Sequence, residues 1–281
     1  MNKHLQLFWD SFRFKRAFWI TLGVEVIFFI IILGIFLGLG SYFSVESSAI
    51  LQGHTAEDIQ QLIITSPEAA SPLLVQLQSF LLTAIVSILL VAILSFFTFS
   101  LTQAFNWNYL LKKKLDKKHY WRWNALNLTL IIPLLIYGLC ALIIKLLTSL
   151  IFKLIITISP SFYTNHFNLM DSILTILNGA VSFLLVLILI LFVFLVYYQF
   201  VEKYKVWLSF GEALHSFKIH WKKLWRMALL ALAVAVILAL IFLGLNYLNF
   251  ASWFFTAIKS AVALLYLAWL RYYLLKLLEE K

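Results

Sequence analysis

Four ionisable side chains interrupt stretches that are otherwise apolar: Glu25, Lys145, Lys153 and Lys259. A charge at the centre of a bilayer costs at least about 2.5–3.5 kcal/mol on insertion scales, so such groups pair, line a polar path or reach the surface. Lys145 and Lys153 share a helical stripe with Ser149 and Thr157, an arrangement suited to an ion or solute path through a bundle. With a rise of about 1.5 Å per residue, Glu25 should lie roughly 10 Å above the inner boundary of its helix and Lys259 roughly 18 Å. A lysine stem closes much of that gap, so a Glu25–Lys259 ion pair is within reach. The simpler reading is that the lysines extend their stems to the nearer surface. Glu25 then does likewise or carries a proton.

Other chemistry finds little support. His215 and His220 are five apart, the wrong spacing for one helical face, and no cysteine or carboxylate cluster joins them, so no metal site is expected. There is no H-E-x-x-H, G-x-S-x-G, phosphate loop or dinucleotide fingerprint. No histidine lies within an apolar span, which argues against haem or chlorophyll held in a bundle core. The one cysteine, Cys140, lies in an apolar run and excludes a disulfide within the chain. The expectation is a protein without catalytic residues, metal or cofactor, and not an enzyme.

Helices must position whatever these residues do, and composition says where those helices sit. The chain of 281 residues is 63% hydrophobic and 12% charged, with a mean hydropathy of +0.96. A soluble domain is about half apolar and about a quarter charged. Between Glu68 and Lys112 no residue carries a charge, a run longer than the roughly 20 residues that cross a hydrocarbon core. The fold class is therefore all-α: one integral membrane domain over residues 1–281. Six transmembrane helices are expected, at about 18–40, 76–100, 124–147, 173–198, 226–247 and 252–271. Pro133 should kink the third. The first apolar run is too long for a signal peptide's core and no A-x-A site follows it, so it reads as an uncleaved anchor. In the connection 41–75, Thr55 and Asp58 should cap a short helix that Pro67 and Pro72 end. Residues 159–172 read as a second, shorter loop, Asn246 and Asn249 mark a tight turn, and Arg271 to Lys281 read as a polar tail. Gly34 and Gly38 form a small-xxx-small face on the first span, a helix-packing device.

Charge orients the six spans. Nineteen of the 22 lysines and arginines fall in or beside the N-terminus, 109–123, 199–225 and the C-terminus. Lysine and arginine in short loops mark the cytoplasmic side, so both termini should face the cytoplasm of a multi-pass cell (inner or plasma) membrane. The net charge of +10 then reads as affinity for anionic headgroups and not for nucleic acid.

Two interfacial helices are expected, at 1–17 and 209–225. In the second, Ser209 and Glu212 form a capping-box pattern. Phe210, Ala213, Leu214, Phe217, Trp221 and Leu224 share one face opposite lysines, the pattern of a helix lying in a bilayer surface. Lipid-surface contacts are expected from Arg13, Lys15, Arg16, Lys112, Lys113, Lys114, Lys218, Lys222, Lys223 and Arg226. Interface anchors are expected from Trp19, Trp121, Trp123, Trp221 and Trp225. FWDSFRFKRAFW (8–19) and ALHSFKIHWKKLW (213–225) share Ser-Phe, then basic residues, then an aromatic entry to an apolar span. LLKKKLDKKHYWRW (110–123) keeps the charges and tryptophans. The pattern suggests three hairpins, each entered from a basic segment on the cytoplasmic side, although any hairpin obeying the same charge rule looks similar.

The form SFGEAL-x-SF-x4-KK-x-W over Ser209 to Trp225, followed by an apolar span, resembles an element of poorly characterised six-helix prokaryotic membrane proteins. Among them is the membrane domain accompanying some glycerophosphodiester phosphodiesterases. The resemblance implies topology; no phosphodiesterase domain is present, so it implies no activity. The expected function is a structural or assembly component, or a partner subunit of a membrane complex. Its partners would be the bilayer and another membrane protein or a second copy. A small transporter or channel using the intramembrane charges is the alternative, and a lipid-handling membrane domain a further one. A transporter should show a polar cavity reaching the midplane; a scaffold should show a dry interior and bare apolar faces.

Overall fold

The computed structural model describes residues 3–51, 54–158, 160–246 and 251–279, with side chains other than those at 3, 4, 56, 69, 152, 155, 160–171 and 173–177. The chain is all-helical, and no strand forms among the described residues. Among the described residues ten helices follow in order: α1 (Lys3–Ser11), α2 (Arg16–Leu51), α3 (Ala56–Thr65), α4 (Pro67–Leu110) and α5 (Lys117–Thr129), then α6 (Ile131–Ile158), α7 (Pro160–Lys203), α8 (Val206–Ile219), α9 (Trp221–Asn246) and α10 (Ser252–Glu279). Six stretches are long and apolar enough to cross a membrane: Arg16–Leu51, Ala70–Leu110, Lys117–Ile158, Asn178–Lys203, Trp221–Asn246 and Ser252–Glu279.

Several expected loops are helix instead. α2 continues through Leu51, because Tyr42 to Leu51 contains neither glycine nor proline to end it. α7 begins at Pro160 and runs through the stretch read as a loop; proline fits a helix's first turn, where its missing N–H has no partner to lose. Pro67 ends α3 as expected and opens α4, whereas Pro72 lies inside α4. Pro72 is only a few residues into that helix, where little intrahelical bonding is lost. α10 continues to Glu279, so the expected tail is helix through that residue. The expected turn at Asn249 lies outside the described residues, and Asn246 is the last residue of α9.

Pro133 interrupts its span as expected, within one stretch that runs Lys117–Ile158. α5 ends at Thr129 and α6 starts at Ile131, with Leu130 between them as the cap of α5. The proline offers no N–H to the carbonyl of Thr129, four residues back, and its ring crowds that carbonyl. Between α2 and α4 the Thr55–Asp58 capping box forms as read: the Asp58 carboxylate accepts from the Thr55 N–H at 2.7 Å, and the Thr55 hydroxyl accepts from the Asp58 N–H at 3.2 Å. The Thr55 N–H and the Thr55 hydroxyl, both donating to the carboxylate, hold the Asp58 carboxyl below its ordinary range.

The chain divides into two compact units, Gly23–Gln103 and the remainder, Met1–Leu22 with Ala104–Lys281. In the first, rings meet at Phe28–Phe99 and Phe43–Phe80, with centroids 6.1 and 5.9 Å apart. Advancing along α2 therefore means retreating along α4, so the two helices run antiparallel. In the larger unit α7 is the hub, with α6, α8, α9 and α10 packed on it. α1 lies on the last turns of α10. The Trp269 indole Nε1–H donates to Ser11 Oγ at 2.9 Å, the Lys276 ammonium donates to the Asp10 carbonyl, and Phe12 stacks on Trp269 at 5.1 Å.

Candidate functional site

The most ordered polar chemistry of the larger unit lies where its basic segments meet. The end of α4, the start of α5, the end of α7 and the end of α10 enclose Trp107, Trp123, Tyr197, Phe200, Leu270 and Tyr273, all in the buried core. These rings surround groups that a hydrophobic interior normally excludes. Arg271 is only 3% exposed, its guanidinium 5.7 Å from the Trp107 ring centroid and 5.5 Å from that of Phe194. Ring faces attract a desolvated cation by about 2 kcal/mol, which offsets part of the cost of burying it. Tyr197 donates to Asn127 Oδ1 at 2.7 Å. Asn106 and Asn124 are buried as well, and their amide atoms find no hydrogen-bond partner.

Tyr204 fastens the rim of this core. It adopts a left-handed backbone at φ 50°, a conformation that is uncommon for a side chain of this size. Three contacts hold it there. His119 stacks on the ring at 3.7 Å, the hydroxyl donates to Asn108 Oδ1, and the carbonyl accepts from Arg122 Nη1 at 3.0 Å. Burial raises the pKa of the phenol, with Asp116 and Glu202 adding to the shift. The left-handed residue turns the chain sharply from α7 into α8.

That turn sets where α8 begins. Its N-cap is Lys205, not Ser209; Ser209 is buried within the helix and its hydroxyl donates to the Lys205 carbonyl at 2.6 Å. Glu212 does not reach back to a cap but pairs with Lys203 Nζ at 2.6 Å. This hydrogen bond, with the lysine's charge, holds the Glu212 carboxyl below its ordinary range. The expected 209–225 helix is two elements, broken at His220. Of its apolar face, Ala213 and Leu224 are buried, Phe210 and Phe217 half-buried, and Leu214 and Trp221 exposed. The expected 1–17 helix likewise ends at Ser11, and α2 opens at Arg16.

The other expected site residues scatter. Glu25 is buried, in the unit Gly23–Gln103, whereas Lys145, Lys153 and Lys259 are exposed and belong to the other. The Lys259 ammonium lies 4.1 Å above the ring of Phe255, one turn back on its own helix. Thr157 donates to the Lys153 carbonyl at 2.8 Å, which turns its hydroxyl onto its own helix. Arg13, Lys15, Arg16, Lys112, Lys113, Lys114, Lys218, Lys222 and Arg226 are exposed, and Lys223 is half-buried. Arg13 reaches Asp10 at 3.5 Å and Lys113 reaches Glu202 at 3.8 Å. Trp19, Trp121 and Trp221 are exposed and Trp225 half-buried, stacked on Trp221 at 5.7 Å. Trp123 differs: it is 0% exposed, with Phe200 and Tyr197 at 5.0 and 5.3 Å. Its place is in the core and not at a membrane surface, because it lies on the face of α5 opposite Trp121.

In the smaller unit, Tyr42, Glu46, Gln76, Ser79 and Thr83 line a crevice of about 410 Å³. Among the described residues, no three His, Cys, Asp or Glu side chains gather as a metal would need. Comparison with family models, curated proteins and solved structures finds no match to this chain.

Proposed function

We propose that the protein is a non-enzymatic component of a membrane complex, whose spans present apolar faces to another membrane protein or to a second copy. The observation that carries this reading is an open pair of glycines. Gly34 and Gly38 lie one turn apart on α2, and a side-chain carbon added at either would meet nothing within 4 Å. Small residues at this spacing let two helix backbones approach closely in lipid, and no described residue lies within 4 Å of that approach. The bareness extends further: the most apolar windows of the six candidate spans are between 6% and 28% buried. Bare apolar surface alone is what lipid would cover; the glycine face adds a shape that a second helix fits.

The test is photo-crosslinking in cells from positions 34 and 38, with Gly34→Ile and Gly38→Ile beside it. The expected result is an adduct with a membrane protein or a second copy, lost in the isoleucine variants while the chain itself stays folded. Lipid adducts alone, with a chain that stays monomeric in mild detergent, would overturn the proposal.

A further inference from the structure

An apolar groove of about 450 Å³ opens between α6, α7 and α8. From Thr129 at the end of α5 it runs along α6 to Cys140, about 16 Å at the helical rise. A bilayer's hydrocarbon core is about 30 Å thick, so the groove has the depth of one leaflet and the length of one lipid chain. α8 closes its upper end. Ser209 and Ala213, buried between α8 and its neighbours, fix the rotation of that helix, and Trp207, Phe210 and Leu214 are left to line the groove.

The rim carries cations, with Glu202 and Asp116 also near Tyr204 and Glu202 paired with Lys113. Trp207, 74% exposed, stands two residues beyond Lys205, whose side chain is also exposed. Arg122 donates to the carbonyl of the peptide that joins Tyr204 to Lys205, which sets its guanidinium beside the residues that open α8. Glu212, the acid on the first turns of α8, is taken up by Lys203. A ligand matching these features has an aliphatic chain roughly one leaflet long and a negative group at its polar end.

We infer that this groove binds one phospholipid with an anionic headgroup, its acyl chain along Ile132, Ile136 and Cys140 and its phosphate at Lys205 and Arg122. The site differs from general lipid contact in combining an apolar groove of one chain's length with two cations beside α8. It stands apart from the partner-docking proposal, which concerns α2 in the other unit, so either can fail without the other.

The full chain in mild detergent would be titrated with phosphatidylglycerol and with phosphatidylcholine of the same acyl composition, bound lipid being counted by native mass spectrometry. One phosphatidylglycerol per chain should bind at least tenfold more tightly than phosphatidylcholine. Ile136→Trp, which fills the groove from an exposed position, should weaken it at least tenfold. Arg122→Ala with Lys205→Ala should bring it down to the neutral lipid. Cys140 supplies a readout on the unsubstituted chain: phosphatidylglycerol, but not phosphatidylcholine, should slow alkylation of this single thiol severalfold. Equal binding of the two lipids, unchanged binding in Ile136→Trp, or no protection of Cys140 would overturn the inference.

Discussion

Two tryptophans two positions apart, Trp121 and Trp123, have opposite fates. One is 58% exposed and the other 0%, so removing them should separate cleanly. Trp123→Ala should destabilise the protein by about 3–5 kcal/mol, the range for deleting a buried large aromatic. Trp121→Ala should change stability by less than about 0.5 kcal/mol; thermal unfolding in one detergent, followed by near-ultraviolet circular dichroism, compares them. Asn106 invites the reverse experiment. A buried amide without a partner costs about 1–3 kcal/mol, so Asn106→Leu, of similar shape, should raise the unfolding midpoint. A lowered midpoint would show that the amide is used. The Lys203–Glu212 pair carries a pH signature. Because the folded carboxyl titrates below its ordinary range, the pair's contribution is whole above that range and is lost as pH falls through the folded value. Stability should therefore drop on acidification with a step that Glu212→Gln lacks. Little of this was legible beforehand. Sequence shows that Trp, Asn and Arg lie near span ends, but which face of α5 or α10 they occupy is decided by packing. Counting charges made Arg271 part of a tail, although the Leu270–Tyr272–Tyr273–Leu274 run beside it already signalled an apolar environment.

Elements were legible where local chemistry decides them and illegible where tertiary contacts do. Thr55 with Asp58 reads as a helix start and is one, since both bonds of the box form within four residues. Thr55→Ala should cost the local helix about 1 kcal/mol, seen as faster amide exchange through α3 with α4 unaffected. Ser209 with Glu212 has the same pattern and caps nothing. Tyr204, held by His119, Asn108 and Arg122, starts the helix four residues earlier, and the nearby Lys203 takes the glutamate. Those partners lie far off in sequence, so periodicity could not disclose them. Pro133 reads as a kink, and at that kink Leu130 keeps a right-handed helical backbone between α5 and α6. Pro133→Ala should restore the bond to the Thr129 carbonyl and fuse α5 with α6, slowing amide exchange between 130 and 134.

At the scale of the molecule, hydropathy gave the all-helical class and six helices able to cross a membrane, because that signal is a sum over some twenty residues and survives local error. Helix lengths were underestimated wherever polar residues continue a helix past its apolar window, as in α2 and α7. We propose from the lysine and arginine bias that the basic segments face the cytoplasm; impermeant labelling of cysteines placed at 15, 114, 218 and 276 should find all four on the cytoplasmic face. The seat of α1 on α10 bears on how the protein is made. Ser11 and Trp269 are 258 residues apart, so the opening helix emerges from the ribosome long before the surface that receives it exists. Until then it must wait, shielded by lipid or a chaperone, and a chain arrested before residue 269 should leave it open to protease. Docking of α1 would thus report that the chain has been made through Trp269 and that α10 is in place.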